Sequence, residues 1–458
     1  MLKIKIASSY FSIIFMVVLV ACDPVTIPTQ PTTDIGNTTQ ARTLVPVASS
    51  TVIRPTTTPT MEVQSQSPAC TFPLAQTTTE ESKPEEYTFS QPSLVLTGES
   101  YQPDIVEWLP DSQNVIIMPV KLIDLGIKGY QETIELFNPQ SKETRVYAIR
   151  REGEGPPTWN AELKAIVYPA TKTIGTDLAS VQFLSQLRIS YGNPDATQLL
   201  VDDLPAQSLT LRPDGGEVFY QASKGKRAFP LYGMAISKGS LEVKQSISFD
   251  VRQFGFKDDH IFYQTVWRSG TSQIFFHSYV SPAEQTFLLD RNTGQSCTLD
   301  FGGWVYFARW SPNGRYLAVI TSSGAQTPIW GDYDLRILDA LTGKLYLMDS
   351  TKVGPPAMKN CCRHIIGDFS WAPDNRHLIV MGTAGFAGTG MYTPVDKLYL
   401  VDFVSGDVVD LFPLYRFNIS GWGMGLAWSP DGLKVLANCP TEKQGRFCFM
   451  SVKGTPEH

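Results

Sequence analysis

The sequence predicts an all-β fold: a β-propeller of seven blades with four antiparallel strands each, six or eight blades standing as alternatives. Three observations carry this expectation. A Trp-x-Pro-Asp-Gly-like turn recurs along the chain, a second turn marker follows it at a near-constant offset, and short alternating runs of Val, Ile, Leu, Phe, Tyr and Trp fill residues 87–455. Of 458 residues 42% are hydrophobic, enough to bury a large core, so wholesale disorder is excluded.

The amino terminus reads as a secretion signal. Lys3 and Lys5 precede an apolar run from Phe11 to Ala21 that is interrupted only by Ser12. This run is too short for a hydrocarbon core, which needs about 20 apolar residues, but suits the middle region of a signal peptide. Leu19-Val20-Ala21-Cys22 follows and resembles a bacterial lipobox. The resemblance implies cleavage after residue 21, lipidation of Cys22 and an extracytoplasmic protein held on the membrane by acyl chains.

Residues 22–86 read as a stalk. Positions 23–68 hold twelve Thr and seven Pro but no Phe, Trp or Tyr, so this stretch has too little apolar surface to offset its ordering entropy. Extended polyproline-like chain of this length reaches on the order of 100 Å.

The repeats begin after residue 86. Three copies match closely: Trp310-Ser311-Pro312-Asn313-Gly314, Trp371-Ala372-Pro373-Asp374-Asn375 and Trp428-Ser429-Pro430-Asp431-Gly432. Looser copies start at Trp108, Trp159 and Leu211, and Phe256-Lys257-Asp258-Asp259 reads as a degenerate seventh. Pro presets the second turn position, Asp or Asn tolerates unusual backbone, and Gly supplies positive φ, so each copy closes a hairpin. The aromatic residue ends the first strand and should pack between neighbouring sheets. The second marker is Asp290-Arg291-Asn292-Thr293-Gly294, Asp339-Ala340-Leu341-Thr342-Gly343 and Asp402-Phe403-Val404-Ser405-Gly406, with Asn138 in the first unit.

On these motifs the chain resembles the TolB-like β-propeller repeats, relatives of the WD repeats, over residues 87–455. That resemblance implies fold and leaves activity open, because the motif residues are structural. The last unit lacks a fourth strand, and Pro92-Ser93-Leu94-Val95-Leu96-Thr97 is placed to supply it and close the ring.

Function is less legible. The formal charge is −6, from 38 basic and 44 acidic side chains, with no basic footprint for nucleic acid. There is no Gly-x-Ser-x-Gly elbow and no His-Glu-x-x-His motif. Cys361-Cys362-Arg363-His364 is the one cluster with the makings of a metal site or a nucleophile–base pair, and adjacent cysteines seldom face one metal. Long connections are expected on one face, at 119–130, 169–180, 321–334, 350–367, 382–396 and 413–424, and long loops on a rigid scaffold commonly bind ligands. The candidate ligand-binding residues there are Trp330, Asp332, Asp334, Tyr392 and Trp422, aromatics beside carboxylates that suit a sugar ring or a peptide. Asp332-x-Asp334 offers a weak Ca²⁺ possibility, and no other cofactor is expected. Cys439 and Cys448 flank a hairpin loop in the last unit and are the expected disulfide. The expected role is binding or scaffolding of an envelope glycan, peptide or protein partner, the alternative being a hydrolase or lyase using carboxylates of the long-loop face.

Overall fold

The computed structural model describes residues 62–65, 87–97, 104–124, 130–151, 155–174, 182–202, 206–212, 217–222, 231–237, 240–249, 261–280, 283–322, 333–348, 350–353, 363–385, 397–411, 425–439 and 446–454. Their strands fall, in chain order, into seven antiparallel units that form the blades of a propeller. Blade 1 contains Asp104–Trp108, Val115–Met118, Tyr130–Asn138 and Glu143–Arg151, with an added strand Val120–Asp124. Blade 2 contains Thr158–Asn160, Ala165–Ile174, Gln182–Ser190 and Gln198–Val201. Blades 3, 4, 5 and 6 begin with Ala206–Leu211, Ile261–Trp267, Trp304–Trp310 and Arg363–Trp371. Blade 7 consists of Leu426–Trp428, Lys434–Asn438 and Arg446–Gly454, completed from the amino-terminal side by Tyr87–Phe89 and Ser93–Thr97.

One register unites the seven hairpins. The marker residue pairs with the residue seven positions on in every blade: Trp108 with Val115, Trp159 with Ile166, Leu211 with Val218, Trp267 with Ile274, Trp310 with Leu317, Trp371 with Leu378 and Trp428 with Val435. In blades 1, 5, 6 and 7 a left-handed residue stands four positions after the marker: Ser112, Gly314, Asn375 and Gly432, with φ of 54°, 71°, 61° and 76°. Blade 2 places it five after, at Lys164, and blade 4 three after, at Gly270. At the second marker the carboxylate closes the turn, Asp339 accepting the Leu341 N–H at 3.0 Å and Asp402 the Val404 N–H at 2.9 Å. Both turns lie at the same end of a blade, since Arg315 and Arg376 of the first bond Asp339 and Asp402 of the second.

The blade 4 marker differs from expectation. Phe256–Asp259 lies outside the described residues, and the blade 4 turn instead follows Trp267, at Arg268-Ser269-Gly270-Thr271. Several expected loops are partly strand. Val120–Asp124 pairs within blade 1, the Ala165–Ile174 hairpin stays paired to Ile174↔Gln182, and His377 begins a strand that runs to Gly385. Glu62–Ser65, expected within the stalk, instead forms a strand antiparallel to the outer strand of blade 5, Lys344–Met348.

Apolar clusters lie between blades. Trp371 packs with Ile320, Ile337 and Phe403 between blades 5 and 6, while Trp108 packs with Ala427, Leu436 and Phe447 between blades 1 and 7. Three indoles also reach back to the previous blade's first strand. Trp108, Trp310 and Trp371 donate Nε1–H to the carbonyls of Ala427, Val266 and Arg309 at 3.1, 3.3 and 3.1 Å. These bonds satisfy the indole N–H inside an apolar layer. Ring closure adds Asp431 N–H to Ser112 Oγ at 2.9 Å and Lys434 Nζ to the Ser112 carbonyl at 2.8 Å. Cys439 and Cys448 are disulfide-bonded across this last blade, with Cα atoms 5.7 Å apart, and Cys297 is disulfide-bonded as well.

Candidate functional site

The period of two in a strand builds a groove between blades 1 and 2. Ile166, Tyr168, Ala170 and Lys172 share one face of a blade 2 strand, and this row runs from the apolar layer under blade 1 to an exposed lysine. Across the next strand pair, Arg188 stands opposite Tyr168 and Leu199 opposite Arg188, so both belong to the same face. Blade 1 supplies the facing wall through Ile149 and Arg150. The resulting cleft has a volume of about 590 Å³.

Its charges are unevenly matched. Arg150 is 5% exposed and committed: it faces Glu132 at 3.4 Å and donates to the carbonyls of Gly155 and Pro169 at 2.7 and 3.0 Å. Arg188 is held by Thr197 Oγ1 at 3.2 Å and Gln186 Oε1 at 2.9 Å, both neutral, and Gln186 is in turn held by Asp202 at 2.8 Å. Among the described residues neither Arg188 nor the exposed Lys172 has a carboxylate partner. Ile149 and Leu199, 48% and 44% exposed, give the rim an aliphatic character. Such a cleft can hold an anion with apolar groups on either side.

A second set of groups lies on the first strands of blades 1, 5 and 6. Each of these strands shifts register near its middle, between Ile105 and Glu107, Val305 and Phe307, and Ile366 and Asp368. Such irregularities re-aim side chains. Glu107 Oε1 accepts the Trp159 N–H of blade 2 at 2.8 Å, and Asp368 Oδ2 accepts the Gly425 N–H before blade 7 at 2.7 Å. Arg309 Nη1 donates to the Phe369 carbonyl of blade 6 at 2.6 Å. Burial pushes Glu107 up to about 7, against the opposing effects of the Trp159 N–H and the Arg309 charge. Burial likewise pushes Asp368 up to about 6, with Arg309 opposing. Burial lowers the Arg309 pKa, and the charges of Asp368 and Glu107 counter it. One guanidinium thus serves two carboxyl groups that titrate near neutrality, and all three groups are joints between blades.

Of the residues singled out from sequence, Trp330, Asp332, Tyr392 and Trp422 lie outside the described residues, as do Cys22, Cys361 and Cys362. Asp334 is not in a loop. It sits in the strand Tyr333–Asp339, is 8% exposed, and accepts the Ser350 N–H at 2.8 Å. His377 is buried and bonded to Asp374 at 2.6 Å. Among the described residues no three His, Cys, Asp or Glu side chains converge as a metal site, and no helix is long and apolar enough to cross a membrane. Sequence reasoning missed Lys172, Arg188, Glu107, Arg309 and Asp368. Glu107 and Arg309 had a signal, for both directly precede a marker Trp.

No family model matches the chain, and no curated protein does. Solved structures to which it is similar are β-propellers. TolB from Acinetobacter baumannii shares 13% identity at a TM-score of 0.37, over 74% of this chain and 79% of that one. An oligogalacturonate lyase from Vibrio parahaemolyticus shares 11% identity at a TM-score of 0.48, over 80% and 96% respectively. The propeller domain of the Trilobed protease from Pyrococcus furiosus shares 12% at 0.45, over 81% and 99%.

Proposed function

We propose that this chain is an extracytoplasmic propeller, tethered through lipidated Cys22, that binds a cell-envelope peptide, protein or glycan partner. The observation that carries this reading is the groove between blades 1 and 2, where Lys172 and Arg188, neither with a carboxylate partner among the described residues, stand in a cleft with an aliphatic rim. The apolar segment before Cys22 and the Thr- and Pro-rich stretch after it support the tethered placement. The test is an array of peptides and glycans probed with the full-length chain and with Lys172→Glu. Saturable binding that the substitution abolishes supports the reading, and retained binding of every ligand by the variant refutes the groove as its seat.

A second reading is an envelope hydrolase or lyase. The specific observation favouring it is the pair of carboxyl groups, Glu107 and Asp368, raised toward neutrality within the field of Arg309. One protonated and one ionised carboxyl is the arrangement acid–base chemistry needs. Turnover of an envelope polymer, with or without added Ca²⁺, that Glu107→Gln or Asp368→Asn abolishes without unfolding the protein would establish it.

A further inference from the structure

We infer that the groove between blades 1 and 2 takes an extended acidic peptide, its carboxylates over Lys172 and Arg188 and its apolar side chains against Ile149 and Leu199. The inference rests on the binding reading above and adds the ligand class. Pairing places Arg188 opposite Tyr168, four positions along the strand from Lys172, so the two backbones stand roughly 13 Å apart along the strand. An extended peptide rises about 3.3 Å per residue, which brings acidic residues four apart over the two cations. Among the described residues no carboxylate bonds either cation directly, and Asp202, which also lines the cleft, is engaged with Gln186. Arg188 donates, among the described residues, to neutral oxygens of Gln186 and Thr197, leaving part of the guanidinium for a carboxylate. The neighbouring Arg150 is already matched by Glu132 and adds no free charge.

The rim decides between a peptide and a sugar chain. Sugar rings stack on exposed aromatic faces, whereas the one aromatic residue lining this cleft among the described residues, Tyr168, is 2% exposed. Ile149 and Leu199 instead offer exposed aliphatic surface, the complement of Val, Leu or Ile side chains flanking the acids. The whole chain is anionic, with a formal charge of −6, so an acidic partner is repelled elsewhere and directed to this local cationic cleft.

The experiment is fluorescence anisotropy with the full-length chain. The probes are a labelled peptide with two Glu four residues apart between apolar residues, its Glu→Lys counterpart, and a labelled polyuronate oligomer. The acidic peptide should bind, the lysine peptide should not, and raised salt should weaken binding. Lys172→Glu should weaken it about tenfold or more. Leu199→Asp should weaken it too, with an unchanged thermal midpoint showing that blade 2 is intact. If the polyuronate binds in a Lys172-dependent manner and the acidic peptide does not, the peptide assignment is overturned and the groove-binding reading survives. If neither probe binds, or if both variants bind the peptide as the parent does, both fail.

Discussion

Glu107 shows how one residue serves the ring at an electrostatic cost. Its carboxyl satisfies the Trp159 N–H across a blade boundary, yet burial disfavours its charged form and lifts its pKa from 4.5 to about 7. The folded state therefore binds this proton more tightly than the unfolded state. Between these two values stability falls as pH rises, and above about pH 7 the loss is complete. Asp368 acts in the same direction over a lower window, from 3.8 to about 6. Glu107→Gln keeps an acceptor for the Trp159 N–H and removes the titration. The variant should gain about 3 kcal/mol relative to the parent on going from pH 4.5 to pH 8, read from urea unfolding at both values. Glu107→Ala loses the acceptor and should be less stable than Glu107→Gln at both. A parent and a Gln variant with parallel pH profiles would show that Glu107 does not carry this proton.

Among the elements, the last blade is the most dependent on added constraints, because its outer strands come from the other end of the chain. The Cys439–Cys448 bond closes a short loop beside the strand Arg446–Gly454 that receives them. In the chain-entropy account, removing it as Cys439→Ala/Cys448→Ala should cost roughly 2–3 kcal/mol. Hydrogen exchange should show the loss concentrated in blade 7, and uniform deprotection of all blades would contradict it. A Trp371→Phe change should cost about 1 kcal/mol more than its lost area, since the Arg309 carbonyl then loses its indole partner. Hairpins were legible in the sequence because their chemistry is local: Pro312, Asn313 and Gly314 specify a turn with little help from afar. Blade 4 was misread because Arg268-Ser269-Gly270 has neither Pro nor Asp, while Lys257-Asp258-Asp259 imitates the motif. Asp334 falls in a strand rather than a loop, and the Ser350 N–H that it accepts arrives from beyond the following strand. The groove was illegible for a related reason. Lys172 and Arg188 belong to different strands, and only the register Tyr168↔Arg188 brings them to one face.

For the whole molecule, ring closure depends on a segment that precedes blade 1 in the chain. Glu62–Ser65 already pairs with the outer strand of blade 5, and further on Tyr87–Phe89 and Ser93–Thr97 are the strands that complete blade 7. Processing before Cys22, as proposed, would remove Lys3 and Lys5 and take the formal charge from −6 to −8, and an anionic lipid surface would mildly repel the body it holds. If Cys22 is the anchor, Cys22→Ser should abolish labelling by a fatty-acid analogue, whereas persistent labelling would exclude it. Closure is tested by deleting residues 87–97. Tyr87 and Phe89 pack edge-on to Trp428, with ring centroids at 4.9 and 5.6 Å, and the backbone of Arg446–Gly454 pairs with both short strands. Deletion uncovers that indole and leaves an unpaired strand edge, which is a template for pairing with another chain. The deleted protein should unfold at lower temperature and run as larger species than the parent on size exclusion. A synthetic peptide of residues 87–97 should restore the parent's elution volume and midpoint by occupying the vacant strand position. A deletion protein that elutes as the parent does, with an unchanged midpoint, would mean that the ring holds without its amino-terminal strands.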